Sequence, residues 1–131
     1  MPAAKKTAPT STKKVRILIV EDERPLAHAL EIKMAHEGFE TIVASTGTEG
    51  LRAAQEDNFD VILLDLILPE IDGFTILEEL KKSKKKPVII VLSNLGQDED
   101  KKRAKDLGVK DYLVKSNAPL SDIVKVVKAA I

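Results

Sequence analysis

From Val15 onward the chain alternates short apolar runs with stretches in which apolar residues recur at helical spacing. The runs "VRILIV" (15–20), "FETIVA" (39–44), "DVILLD" (60–65), "KPVIIVLS" (86–93) and "DYLV" (111–114) predict five strands. The patterns between and after them predict helices over 25–38, 47–58, 73–83, 98–108 and 118–131. The first helix opens at Pro25 and closes at Gly38, residues that commonly start and stop helices. Its inward face reads as Leu26, Ala29, Leu30 and Met34, with Lys33 snorkelling beside them. Helices between successive strands imply parallel pairing through right-handed crossovers. The first, third and fourth runs are nearly continuous Val, Ile and Leu, as expected of strands covered on both faces. The second is broken by Glu40 and Thr41 and suits an edge. The pattern predicts an α/β fold, a doubly wound five-stranded parallel (βα)5 sheet. Its order is 2-1-3-4-5 or a variant; periodicity does not choose.

A chain of 131 residues suits one domain with a sizeable core. It has no cysteine, which excludes a disulfide framework and thiolate metal sites. Aromatics are 3%, too few for a base-stacking platform. Formal net charge is zero but unevenly spread. Residues 1–14 hold Lys5, Lys6, Lys13 and Lys14 and no acid, which leaves 17 basic against 21 acidic residues elsewhere. A mildly acidic body argues against direct DNA binding. The segment 1–14 is expected to be a disordered basic tail, with the domain occupying 15–131. No apolar run resembles a signal peptide or approaches the roughly 18 residues of a membrane span, so the cytoplasm is the expected location. The cluster "KKSKKK" (81–86) falls before the fourth strand and reads as a solvated loop rather than a nucleic-acid contact. His28 and His36 read as helix-surface residues rather than phosphorelay histidines.

In an open parallel sheet, ligands bind outside the carboxyl ends of the strands. Those ends supply Glu21 and Asp22, Asp65, Ser93 and Lys115, from four of the five strands. Three neighbouring carboxylates repel unless a cation sits among them. Their hard oxygens suit Mg²⁺, with Mn²⁺ as a substitute. A lysine adds a point charge for phosphoryl oxygens and a serine adds a hydroxyl donor. The set fits phosphoryl transfer, with Asp65, from the middle strand, as the attacking carboxylate. Taken singly, each has an ordinary reading. Glu21 and Asp22 suit a helix dipole, Asp65 and Ser93 suit turns, and Lys115 suits the surface. Their convergence on one edge argues for a site.

The motifs "VEDE" after the first strand, "DLILPEIDG" after the third, "VLS" ending the fourth and "DYLVKS" around the fifth resemble the receiver domain of two-component response regulators. The likeness covers about residues 15–131, and the stand-alone, chemotaxis-regulator-like type fits best. It implies a flavodoxin-like strand order, 2-1-3-4-5, and a phosphorylation-activated switch rather than an enzyme acting on other molecules. Asp65 would accept a phosphoryl group from a sensor histidine kinase or histidine phosphotransfer protein. Asp22, Asp65 and the Ile67 carbonyl would hold Mg²⁺, with Glu21 reaching it through water. Lys115 would pair with the phosphoryl group, Ser93 would be the switch hydroxyl, and Tyr112 the coupled aromatic. Pro69 would stiffen, and Gly73 permit, the turn into the third helix. Output would pass through helix 4, strand 5 and helix 5, to a protein partner or to a domain outside this chain, from a monomer or a phosphorylation-dependent dimer.

Three residues depart from the usual pattern of that family. Glu21 stands where Asp is commoner. Ser116 stands where a proline with a cis peptide bond is usual; without proline a cis bond costs about 2.5–4 kcal/mol. Asn94 replaces a smaller residue and is expected to narrow access to the site, altering rates rather than whether the reaction occurs. The haloacid dehalogenase phosphotransferases also use a strand-end aspartate, but want a second Asp two residues on, where this chain has Ile67. A flavodoxin-like or dinucleotide module wants a Gly- or Ser/Thr-rich phosphate loop, where this chain has "EDERP". A receiver-like domain regulated by protein binding, without phosphorylation, is the milder alternative.

Overall fold

The computed structural model describes residues 14–131, so the expected basic tail lies outside the described residues apart from Lys14. The elements, in chain order, are β1 (Arg16–Val20), α1 (Arg24–His36), β2 (Glu40–Ala44), α2 (Gly47–Glu56), β3 (Val61–Leu64), α3 (Gly73–Lys81), β4 (Val88–Ser93), α4 (Asp98–Asp106), β5 (Asp111–Val114) and α5 (Leu120–Ala130). A 3-10 turn, Lys115–Asn117, joins β5 to α5. All strand pairs are parallel, in the order β2-β1-β3-β4-β5, with β2 at one edge and β5 at the other. The order expected from the resemblance is the one found.

Alternate residues of each strand feed two separate cores, as a period of two requires. Leu18, Val20, Ile62, Leu64 and Val91 pack with residues of α2, α3 and α4, including Leu77 and Ala104. Ile17, Ile19, Leu63, Ile90 and Leu92 pack instead with α1 and α5. Each fully buried aliphatic side chain contributes about 1.5–3 kcal/mol, whereas helix propensities differ by under about 1 kcal/mol for ordinary residues. Burial on both faces, rather than local propensity, therefore fixes the layers. No helix of the described residues is long and apolar enough to cross a membrane.

Element ends differ from expectation for identifiable reasons. α1 and α4 stop short of Gly38 and Gly108, whose φ of +92° and +95° place them in the left-handed region that closes a helix. β4 begins at Val88 because Pro87 has no N–H to give to the ladder. α5 begins at Leu120, after Pro119 in extended conformation. On α1 it is Ala27, not Ala29, that joins Leu30 and Met34 in full burial. The lysines of "KKSKKK" are exposed, as expected of a solvated loop, and three of them also bond to helix-end carbonyls. Lys81 Nζ donates to the Asp106 carbonyl at 3.0 Å, Lys85 Nζ to those of Gln55 and Asp57 at 2.9 and 3.0 Å, and Lys86 Nζ to that of Lys81 at 2.9 Å. They close the carboxyl ends of α4, α2 and α3, where cations suit the helix dipole.

The loop that follows β3 is braced from two sides. Thr46 caps α2 by accepting from the Glu49 amide at 3.0 Å, and Glu49 accepts in turn from the Ser45 amide at 2.9 Å. The next amide, Gly47 N–H, donates to the Pro69 carbonyl at 3.1 Å. The contact leaves no room for a side chain: a Cβ on Gly47 would lie 1.8 Å from the Ile71 carbonyl oxygen. Gly73 is as confined, since its Cβ would lie 2.6 Å from the Asp65 carbonyl oxygen. Gly47→Ala is expected to destabilise the fold by about 1–3 kcal/mol, because backbone rather than a flexible side chain must yield. Urea unfolding measures this, and an unchanged midpoint would show that the loop is not braced there.

Candidate functional site

The two buried acids are set by the strands they extend. The Glu21 amide continues the ladder to the Ala44 carbonyl, and the Asp65 amide continues it to the Val20 carbonyl, each at 3.0 Å. Ser93 ends β4 and Lys115 follows β5, so the four side chains meet at one edge. Glu21 is 2% exposed, Asp65 4% and Ser93 0%, which makes this edge the place where polar groups enter the core. Each has partners, as burial demands.

Asp65 presents two differently occupied oxygens. Its Oδ1 accepts from the Ser93 hydroxyl at 2.7 Å and from the Ile67 amide at 3.1 Å. Its Oδ2 accepts from Lys115 Nζ at 2.7 Å. Lys115 Nζ also donates to Glu21 Oε2 at 2.9 Å and to Glu23 Oε2 at 2.7 Å. The ammonium thus meets three carboxylates with its three protons. Burial pulls the Lys115 ammonium down, and the hydrogen bonds to Asp65, Glu23 and Glu21 overcome it, leaving the group above its ordinary lysine value. Burial pushes the Glu21 carboxyl up, with Asp65 adding to the rise and Lys115 and the Glu23 amide opposing it.

One carboxylate oxygen from each of Glu21, Asp22 and Asp65 lies within 4.8 Å of the other two. Three hard oxygen donors without a histidine or thiolate form a set that fits a small divalent cation. Asp22, Asp65, Ile67, Asn94 and Lys115, together with Glu23, line a cleft of about 150 Å³ there. Larger clefts, about 310 and 270 Å³, flank Lys85 and Pro87 at the opposite edge, away from every carboxylate of this cluster. Pro69 and Gly73 lie in and after the loop that carries Ile67 around the cleft, with the Gly73 amide donating to the Leu66 carbonyl at 3.0 Å.

Two of the three departures from the usual receiver pattern, Asn94 and Ser116, touch each other. There is no cis peptide bond among the described residues, so Lys115–Ser116 is trans. The Ser116 amide, a donor that proline lacks, gives its proton to Asn94 Oδ1 at 3.2 Å. Asn94 therefore ties the segment after Lys115 to the end of β4 and also stands at the cleft. Tyr112 is half-buried, and its hydroxyl donates to the carbonyl of Leu95, the residue after Asn94. His28 and His36 are exposed on α1, away from the cluster.

Sequence reasoning missed Glu23, the Asn94–Ser116 contact and the bracing by Gly47. Glu23 follows the Glu21–Asp22 pair just before a helix, and nothing in its spacing tells a cap from a lysine partner. The other two are contacts between loops, for which no periodicity exists.

Known proteins resemble this chain in the same terms. The model of the response regulator receiver domain matches residues 17–128. YkoG of Bacillus subtilis (strain 168), an uncharacterized transcriptional regulatory protein, is 37% identical over 102 residues, 78% of this chain and 45% of YkoG. The chain thus spans a little under half the length of that curated relative. A CheY-like receiver domain protein from Methanospirillum hungatei JF-1 superposes with a TM-score of 0.84 at 26% identity, covering 89% of this chain and 93% of that one. TrrA of Thermotoga maritima, in complex with Mg(2+)-BeF, does so with a TM-score of 0.77 at 29% identity, covering 89% and 99%.

The single tyrosine allows a direct test of this geometry. Burial, with Asp100 and Asp65 nearby, pushes the Tyr112 phenol up from 10.0 to about 12. The folded state thus prefers the neutral phenol. Its stabilising contribution is full below pH 10 and is lost as pH rises towards 12. Phenolate absorbance of the folded protein should titrate near 12 and return to about 10 in denaturant. A midpoint near 10 in the folded protein would place Tyr112 in solvent instead.

Proposed function

The chain belongs to the response regulator receiver domain family, and on that premise we propose that it is a phosphorylation-activated signalling switch with Asp65 as its phosphoacceptor. The observation that carries this reading is the convergence of Ser93 and Lys115 on the two oxygens of one buried aspartate, Asp65. An Asp65 oxygen attacks phosphorus. The bond from phosphorus to the nitrogen of a partner's phosphohistidine breaks, the leaving imidazole keeps the electron pair, and an acyl phosphate forms. Lys115 holds a donor towards the developing phosphoryl charge, and Ser93 is free to turn its hydroxyl from Asp65 Oδ1 to a phosphoryl oxygen. The domain catalyses only its own phosphorylation and dephosphorylation.

Asp22, Asp65 and the Ile67 carbonyl would hold Mg²⁺, or Mn²⁺ in its place, with Glu21 behind them through water. Glu21 Oε2 is committed to Lys115 and the Glu23 amide, whereas Asp22 is exposed at the cleft, which supports that division. When bound, the ion supplies positive charge against the phosphoryl oxygens. A haloacid dehalogenase reaction is disfavoured, because Ile67 offers no acid where that chemistry needs one.

Phosphorylation would shift a two-state equilibrium that Ser93 and Tyr112 follow, through the contact of Tyr112 with the loop after β4. The phosphodonor is a sensor histidine kinase or histidine phosphotransfer protein, in the cytoplasm. The output face is α4, β5 and α5. There α4 runs from Asp98, Glu99 and Asp100 to Arg103 and Lys105, a mixed charge pattern that suits partner selection.

Incubation with Mg²⁺ and acetyl phosphate, read by intact mass, tests the acceptor. One phosphoryl adduct is expected in the wild type and none in Asp65→Asn or with a chelator; an adduct that persists in Asp65→Asn would refute the assignment. Asn94→Ala opens the cleft and frees the Ser116 amide, and is expected to shorten the lifetime of the phosphorylated state. An unchanged lifetime would remove Asn94 from the control of access.

A further inference from the structure

Glu23 occupies the N-cap position of α1, yet its side chain makes no capping hydrogen bond. An N-cap side chain ordinarily satisfies one of the free amides of the first turn. The Glu23 carboxylate instead meets Lys115 Nζ at 2.7 Å, as close as Asp65 does. Among the three carboxylates on that ammonium, Glu23 alone is exposed. Its side chain is 57% exposed, against 2% for Glu21 and 4% for Asp65.

Lys115 has three protons and all three are engaged. The hydrogen bond now given to Asp65 Oδ2 can pass to a phosphoryl group on that residue, but a second hydrogen bond from Lys115 to the group requires Glu21 or Glu23 to leave. Glu21 is buried and fastened by the Glu23 amide at 3.0 Å, so it does not leave cheaply. Glu23 can leave into water. It also brings a fourth carboxylate to a cleft that Asp22, Asp65 and Glu21 already make negative and that an anionic phosphodonor must enter.

We infer that Glu23 is an electrostatic plug on Lys115: it occupies a second donor that the phosphoryl group can use, and its displacement sets how readily the site accepts phosphate. The inference rests on the reading of Asp65 as phosphoacceptor. Glu23 is on this account a regulating residue, acting through Lys115, and not a metal ligand. It keeps the lysine paired while the site is unphosphorylated and slows phosphorylation by small anionic donors.

The test compares initial rates of phosphoryl adduct formation from acetyl phosphate at saturating Mg²⁺ for the full chain, Glu23→Gln and Glu31→Gln. Glu31 lies on α1 outside the cleft and makes the same change in net charge. Glu23→Gln is expected to react about fivefold faster, the effect of one unit charge at contact distance in water. The gain should shrink at high salt, because Glu23 is exposed. Glu31→Gln is expected to match the wild type. A Glu23→Gln rate equal to that of the wild type, or to that of an equally accelerated Glu31→Gln, overturns the plug. A slower rate also overturns it, since Glu23 would then be helping to hold the ion or the donor. A wild type that takes up no phosphate, or Asp65→Asn that still does, overturns the acceptor and the plug together, a result distinct from either.

Discussion

The interaction on which the rest of this structure depends is the Lys115 ammonium set among Glu21, Glu23 and Asp65. Two of those carboxylates are almost fully buried. Without a cation they would repel each other and oppose folding, and breaking a buried pair of this kind typically costs about 3–5 kcal/mol. The lysine comes from the end of β5 and the acids from the ends of β1 and β3, while Ser93 arrives from β4 between them. Only the parallel order with β1 next to β3 and β4 next to β5 brings those ends together. The sheet and the charge cluster thus require each other: the sheet places the groups, and the lysine makes their burial tolerable.

From that arrangement follows an asymmetry at Asp65. One oxygen faces a hydroxyl and an amide, the other an ammonium. All three are donors that stabilise negative charge, and two of them belong to side chains that can change partner. On the proposed reading, such a site holds an aspartate ready and keeps the means to recognise what is added to it. The supporting loops show the same economy. Gly47 and Gly73 bring backbone against the loop after β3, and Asn94 supplies the acceptor for an amide that a proline would not have.

Much of this was legible in the sequence because it depends on periodicity and on strand ends. Continuous Val, Ile and Leu runs marked β1, β3 and β4, and the first residues beyond them named Glu21, Asp65 and, with the serine closing β4, Ser93. Lys115 followed from the same rule applied to β5. The order of strands came from the resemblance, since hydrophobic alternation cannot say which strands are neighbours. Contacts between loops were not legible. Glu23 looked like any acid before a helix, and the pairing of Asn94 with Ser116 joins two departures that appeared unrelated at a separation of 22 residues. The lysines at 81–86 carried a compositional signal that suggested solvent, and they are exposed, yet the ammonium groups of Lys81, Lys85 and Lys86 also close three helix ends. Composition reports charge and not the carbonyl that receives it.

The central claim is that Asp65 forms an acyl phosphate. Borohydride reduction of the phosphorylated protein, followed by peptide mass spectrometry, identifies the residue chemically, because reduction converts an aspartyl phosphate to homoserine. The account predicts homoserine at position 65 and at no other aspartate or glutamate. Homoserine at Asp22, or a phosphoryl group retained on His28 or His36 with Asp65 intact, would contradict it.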